Sequence, residues 1–350
     1  MTRYVPIDLH RHRSVVMQMT AEGEVLGWTR LANDPEALVA EVLKDVGAED
    51  VEVAIEATYG WYWAVDALEA AGVNVHLAAP SRLSAFEGRR VKNDQLDCQV
   101  LGDLLRSNML PEAWISTGEV REWRELVRYR AKLVALRSGL KAQVHAVIAK
   151  RGLRVPMTDL FGKGGRQLLD HLLTTDDWFH SAFGQRIESL LVLIKALDDE
   201  IGELNDSITH VFTDHAGYHA IQAIPGIGPV IAAIMVAEIG DIDRFASAGH
   251  LASWCGLTPR HRESDTKVSR GRITKQGNRL VRWAAVEAAQ KLRKDSWLHS
   301  QREALAERRN SRAVAKVACA RKIVNLVYYG LRDGEIRCLQ PRSAEPAVAA

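Results

Sequence analysis

The sequence contains no long uncharged apolar run. Its most hydrophobic stretch, Val230 to Ile239, is interrupted by Glu238 and falls far short of the roughly 20 residues a bilayer-spanning helix requires. No membrane partner is expected. The opening segment MTRYVPIDLHRHR also lacks the apolar core of a secretory signal, so a cytoplasmic location is the expectation. Cysteine is scarce: Cys98, Cys255, Cys319 and Cys338 are scattered without a C-x-x-C pair, which argues against a zinc site or a disulfide framework. A charge excess is missing too. With 46 Lys and Arg against 44 Asp and Glu, the net charge of +2 does not announce a nucleic-acid partner. An actin-like ATPase shares an opening strand meander that carries an Asp, but its glycine-rich phosphate loops are absent.

What is present is an ordinary globular composition, with 350 residues, 47% hydrophobic and 26% charged, enough for two or three cores. Alternation marks strands at Tyr4 to His10, Ser14 to Thr20 and Val25 to Leu31. The pattern then switches to helix at Asp34 to Val46, strand at Val51 to Glu56, helix at Trp61 to Ala71, strand at Val73 to Ala78 and helix from about Asn93 to Ser107. Three strands followed by alternating helix and strand predict an α/β domain with a mixed sheet, in the order of the ribonuclease H-like fold. From about 118 to 215 the chain reads as helix, broken at Gly152 to Gly165. There Ile187, Ile194, Ile201 and Ile208 recur every seventh residue, with Leu190, Leu197, Leu204 and Val211 in the companion position. Leu126, Leu133, Leu140 and Val147 form a weaker partner repeat. This predicts a coiled-coil seam, serving an intramolecular hairpin, a homo-oligomer, or both. A mainly helical region follows, and the tail from 339 reads as disordered.

The acids carry the chemistry. Asp8 closes the first strand and Glu56 the fourth, two strands that this topology can place side by side, while Asp94 and Asp97 lie three apart at the start of a helix. Four converging carboxylates need cations, and hard oxygen ligands select Mg2+, with Mn2+ as a possible substitute. Such a site suits phosphodiester chemistry. Read singly, each acid also fits a solvated surface, and Asp94 fits a helix cap. Further on, Pro225-Gly226-Ile227-Gly228 between an apolar residue and a helix resembles the hairpin of helix-hairpin-helix DNA binders, in which Gly226 and Gly228 would let a phosphate approach backbone amides. A tight helix–helix turn is the plainer reading. From Pro259 to Arg282, Arg260, Arg262, Lys267, Arg270, Arg272, Lys275, Arg279 and Arg282 face only Glu263 and Asp265. This is either a solvated basic surface or a phosphate-contacting loop. A serine among those cations, such as Ser264, has the surroundings of a nucleophile toward phosphorus, though on spacing alone hydroxyl solvation is the far plainer reading.

Several phrases together are more specific: Ile7-Asp8, Ile55-Glu56-Ala57-Thr58-Tyr59-Gly60, Lys92-Asn93-Asp94-Gln95-Leu96-Asp97, Ile224-Pro225-Gly226-Ile227-Gly228, and Gly256-Leu257-Thr258-Pro259 followed by Gly271-Arg272-Ile273-Thr274-Lys275. Over residues 4 to 335 the chain resembles the DEDD transposases of the insertion-sequence one-hundred-and-ten family, relatives of the pilin-gene inverting recombinases. The resemblance implies a RuvC-like domain at 1–112, a helical coiled-coil domain at 113–215, and at 216–338 a C-terminal transposase domain carrying the serine loop. It implies a bacterial or archaeal recombinase that cuts and rejoins donor and target DNA. It also implies guidance by a structured bridge RNA, whose loops pair with both DNAs, and assembly as a dimer or tetramer. Asp8, Glu56, Asp94 and Asp97 match the four family acids. Ser264, five positions after Pro259, matches the covalent serine, in a composite site whose acids and serine come from different subunits. Asn93 and Cys98 depart from the Thr and Ala usual beside the acids. Glu263 and Asp265 replace small residues around Ser264, which leaves Ser269 and Thr266 as rival nucleophiles. Two other function classes compatible with the residues are a Holliday-junction-type metal nuclease without serine chemistry and a non-enzymatic DNA-binding adaptor.

Overall fold

Alternating apolar residues build the first sheet, in which β1 (Thr2–Leu9), β2 (Arg13–Met19) and β3 (Val25–Ala32) form an antiparallel meander. Then come α1 (Pro35–Val42), β4 (Asp50–Glu56), α2 (Trp61–Ala70), β5 (Asn74–Ala78), the short α3 (Pro80–Leu83) and α4 (Asp94–Arg106). The structure, a computed structural model, describes residues 2–47, 50–58, 60–83, 93–265 and 267–339. It divides into two compact units, Met1–Ile115 and Ser116–Ala350. The tail from Gln340 and the rival nucleophile Thr266 lie outside the described residues.

The sheet order is β3-β2-β1-β4-β5, with β4 parallel to both β1 and β5, so the expected neighbourhood of the first and fourth strands is present. Alternation sorts the two faces. Val5, Ile7, Leu9, Val53, Ile55, Val75 and Leu77 pack with Leu38, Val42, Val65 and Leu68 of α1 and α2. On the opposite face Val15, Met17 and Met19 meet Cys98, and Ala54 and Ala78 meet Leu101, Leu104 and Leu105 of α4. Gly102 permits the close approach of α4, since a Cβ there would run into Met19 and Pro6. Each such buried Leu or Ile side chain contributes about 1.5–3 kcal/mol.

The second unit begins with α5 (Gly118–Lys150), α6 (Lys163–Thr175) and α7 (Ala182–Val211). The predicted break is therefore narrower than Gly152 to Gly165, because the two closing glycines are already helical. Contacts Arg130–Asn205, Arg137–Asp198 and Arg186–Gln143 run in opposite senses along α5 and α7, so the two helices form an antiparallel hairpin. Ile187, Ile194, Ile201 and Ile208 are all buried in it, whereas Val211 of the companion position is 43% exposed. The isoleucine seam is thus used within the chain. There follow α8 (Ala216–Gln222), α9 (Pro229–Ile239), α10 (Ala248–Trp254), β6 (Pro259–Ser264), β7 (Lys267–Ile273), α11 (Arg279–Gln290), α12 (Trp297–Arg309) and α13 (Arg312–Asp333). Every residue of α9 from Ile231 to Ile239 is buried, which makes it the centre of the largest core, with α11 and α13 packed around it. The predicted serine loop is instead a two-stranded antiparallel ribbon, β6–β7. Among the described residues, no helix is long and apolar enough to cross a membrane.

Candidate functional site

The parallel register aligns Ile7 with Ile55, so Asp8 and Glu56 stand next to each other one residue further along, at the C-terminal ends of adjacent strands. The same alternation that sends Ile7 and Ile55 toward α1 and α2 turns Asp8 and Glu56 to the α4 side. Asn93 caps α4, its Oδ1 accepting from the Gln95 amide at 3.1 Å. With that role filled by its neighbour, the Asp94 carboxylate faces the end of β1, whereas Asp97, one turn on, is exposed.

Asp8, His10 and Asp94 form the tightest group, each offering a ligand atom within 4.8 Å of the others. His10 Nε2 lies 3.0 Å from Asp8 Oδ2 and 3.5 Å from Asp94 Oδ1. Glu56 and Asp97 fall outside that group. Arg30 Nη2 is 3.5 Å and Arg13 Nη2 3.9 Å from Asp94 Oδ2. Burial pushes the Asp8 carboxyl above its ordinary range; His10 opposes the shift, while the negative charges of Asp94 and Asp97 add to it. The nearby Cys98 thiol is pushed up to about 12, chiefly by burial and further by Asp8 and its acidic neighbours, so it remains a protonated core side chain. Two carboxylates whose ionised forms disfavour each other fit a hard divalent cation, while the imidazole nitrogen beside them is a softer ligand that suits a hydrogen bond to Asp8.

His10, Arg13 and Arg30 are the functional candidates that sequence reading passes over. The β1–β2 turn brings His10 back beside Asp8; its carbonyl accepts from Asn33 Nδ2 at 2.8 Å. Arg13 precedes Val15 by two positions and Arg30 pairs with Val15 across the strands. Both therefore share the α4 face, a placement that strand parity could have revealed.

Ser264 ends β6, paired in register with Lys267, and Arg262 pairs with Ser269. Arg262, Ser264 and Ser269 therefore share one face of the ribbon. Glu263, beside Ser264 in sequence, points to the other face, where its Oε2 meets His261 Nε2 at 3.1 Å. All of β6 is exposed. The turn residue Asp265 is left-handed at φ 52°, and the side chains of Lys267 and Arg270 lie outside the described ones. Arg260 and Arg272 are exposed on the ribbon, and Lys275, left-handed at φ 57°, lies just past it. Arg282 instead ties the ribbon's base together, its Nη1 donating to the carbonyls of Cys255 and Gln276 at 2.7 and 3.3 Å.

The glycine turn does join two helices, α8 and α9. Gly226 has φ 91°, and a Cβ there would run into the Ala288 carbonyl of α11, so this glycine serves packing. Gly228 is exposed, and a Cβ on it would meet nothing within 4 Å. It precedes Pro229 at the start of α9, where the first helical amides are without helical partners.

Two family models match the chain: that of the IS110-type DEDD transposases over residues 5–150, and that described as the transposase IS116/IS110/IS902 family over residues 218–303. Among relatives, the chain is 28% identical to the putative transposase y4qE of Sinorhizobium fredii over 82% of its own length and 70% of that protein. It is 25% identical to the transposase for insertion sequence element IS1111A of Coxiella burnetii, over 76% of this chain and 74% of that one. A shorter segment, 29% of this chain and 24% of the relative, is 35% identical to the mini-circle putative transposase for IS117 of Streptomyces coelicolor. The acids at the strand ends fall within the first matched region and the ribbon bearing Ser264 within the second, and the chain belongs to the IS110-family DEDD transposases.

Proposed function

We propose that this transposase is a bridge-RNA-guided DNA recombinase that binds a divalent metal, Mg2+ or Mn2+, at a RuvC-like acidic site and cuts and rejoins donor and target DNA through Ser264. The observation that carries the reading is the convergence of Asp8, His10 and Asp94 at the end of β1, with Glu56 on the adjacent parallel strand. The sheet order, with β1 between an antiparallel and a parallel neighbour, supports the ribonuclease H-like assignment. When bound, the metal supplies positive charge for the phosphodiester oxygens. Asp8 and Asp94 would hold it, with Glu56 and Asp97 as the further acids that the family resemblance implies.

In the covalent step the Ser264 Oγ–phosphorus bond forms as one bridging P–O bond of the DNA breaks. The serine proton is lost, and the released sugar oxygen gains one. Attack on the phosphoserine by a hydroxyl of another strand reverses these changes and joins that strand. Arg262, on the same ribbon face, is suited to offset the charge that gathers on phosphorus oxygens. Donor and target DNA, the guide RNA and a homo-oligomer, dimer or tetramer, complete the proposal.

The test is a denaturing gel of the protein with labelled DNA, Mg2+ and RNA transcribed from the element's non-coding end. Wild type should give a covalent protein–DNA species that the Ser264→Ala variant, still able to bind both nucleic acids, does not. Persistence of the adduct in that variant would move the nucleophile to Ser269 or Thr266. A second reading, a Holliday-junction-type nuclease, draws on the acidic cluster alone, and it predicts full strand cleavage by Ser264→Ala with no adduct in either protein.

A further inference from the structure

Between Lys291 and Lys322 the sequence holds ten Lys or Arg against only Asp295, Glu303 and Glu307, a basic run outside the ribbon. It folds into α12 and α13, which reverse direction at Asn310, left-handed at φ 45°. A cavity of about 390 Å³ opens between these helices and the end of α11, with Gln290, His299, Arg302, Glu303, Arg312 and Lys316 in its wall. That volume lies within the range of pockets that hold small ligands.

The wall's charges are unbalanced. Glu303 is its lone carboxylate, and Arg302 already occupies it, with Nε and Nη2 at 2.9 and 2.8 Å from Oε1. Arg302 Nη1 is also engaged, donating to the Ala289 carbonyl at 2.6 Å, and only 17% of its side chain is exposed. Arg302 therefore shapes the wall and neutralises Glu303. Lys316 Nζ has a neutral partner, Gln290 Oε1 at 2.9 Å. Among the described residues neither Lys316 nor Arg312 has a carboxylate partner. Arg312 lends its charge to Glu303 without pairing with it, so two permanent cations face a single carboxylate that Arg302 already holds, with His299 beside them. Past Ala306, the exposed Arg308 and Arg309 continue the positive surface along α12. A small free anion would need only the cavity, whereas a polyanion explains cations inside it and beyond its mouth.

We propose that this α11–α12–α13 cavity is a second nucleic-acid grip, in which Arg312 and Lys316 hold a backbone phosphate of an RNA or DNA strand. It rests on the reading of the chain as an enzyme that handles nucleic acid, and it places a phosphate contact on α12 and α13, elements other than the glycine turn and the ribbon. The contact is to the backbone, so it fixes position without reading sequence.

The test uses full-length protein and fluorescent probes of single-stranded RNA and of duplex DNA, with affinity measured over a potassium chloride series. The Arg312→Gln/Lys316→Gln double variant, which removes two cations from the phosphate backbone, should show a salt slope shallower by about 1.4 on RNA or about 1.8 on duplex DNA. Each single variant should show half of that, and Lys316→Arg should keep the wild-type slope. A change confined to the RNA probe assigns the phosphate to RNA, and one confined to the duplex assigns it to DNA. An unchanged melting temperature keeps the effect from being a folding defect. Unchanged slopes on both probes, while Arg260→Gln/Arg262→Gln lowers them, would overturn the cavity grip and leave the enzyme's nucleic-acid reading standing. Failure of wild type to bind either probe would overturn both.

Discussion

Glu238 is the buried charge at the heart of the second unit, 2% exposed on a helix that is otherwise apolar. Its carboxylate accepts from Arg128 Nε at 2.6 Å and Nη2 at 2.9 Å, and from Asn278 Nδ2 at 2.6 Å. Removing one member of a buried pair costs about 3–5 kcal/mol. The Arg128 side chain is 50% exposed, so solvent takes part in compensating its charge, and the lower end, about 3 kcal/mol for Arg128→Ala, is the appropriate figure. Glu238→Gln keeps the shape but weakens two charge-assisted hydrogen bonds, for about 2 kcal/mol. Because both changes remove the same interaction, the double variant should lose about 3 kcal/mol, well short of the additive sum, with a coupling of about 2 kcal/mol. Urea unfolding followed by tryptophan fluorescence measures all four corners of this cycle. Additivity to within about 0.5 kcal/mol would refute the reasoning. The pair also reaches the helices that flank the ribbon in sequence, since Asn278 caps α11 through the Val281 amide at 2.9 Å and its own amide meets the Trp254 carbonyl of α10 at 3.2 Å.

Asp8→Asn and Asp94→Asn should each abolish DNA cleavage while leaving DNA binding intact, and removal of metal by a chelator should do the same to wild type until Mg2+ is restored. Recombination by those variants at wild-type rates would sink the metal reading and favour a binding adaptor. Gly226→Ala should destabilise the protein by more than about 2 kcal/mol through its left-handed backbone and the clash with α11, whereas Gly228→Ala should be nearly neutral for stability; thermal melting compares them. Burial pulls the His76 imidazole down, but its hydrogen bonds to Glu52 and Glu112 outweigh this and leave it raised. A folded value above the unfolded one means that the protonated link stabilises fully below about pH 6.5 and is lost as pH climbs through the folded value. The melting temperature should therefore fall with rising pH in wild type more than in His76→Gln, and equal slopes would remove this account.

Much of the acidic site was legible in the sequence because its information is local. A strand that ends in an acid after an apolar alternation announces both its face and its rim, as Ile7-Asp8 and Ile55-Glu56 do. The cations around Asp94 were hidden because Arg13 and Arg30 reach it only through the register of the meander, which no single strand encodes. The isoleucine heptads of α7 and the weaker repeat of α5 named both sides of a hairpin but left open a seam between chains, because a heptad pattern reads the same in either setting. The ribbon was the clear miss. β6 is exposed along its whole length, so Arg260, His261, Arg262, Glu263 and Ser264 carry no apolar period, and polar strands of this kind read as loop. The packing role of Gly226 likewise depends on Ala288, a residue remote in sequence.

The pleat of that ribbon sets a rule of parity on the chain. Ser264 and Arg262 share one face and Glu263 and His261 the other, and the last pair in register is Ser264 with Lys267. Removing or adding a single residue between the bulge after Pro259 and the turn would exchange the faces, presenting carboxylate where hydroxyl now stands. Adding or removing two would restore the order and change only the reach. Length variation in this segment should thus be tolerated in steps of two, a constraint on heredity imposed by the geometry of an extended backbone.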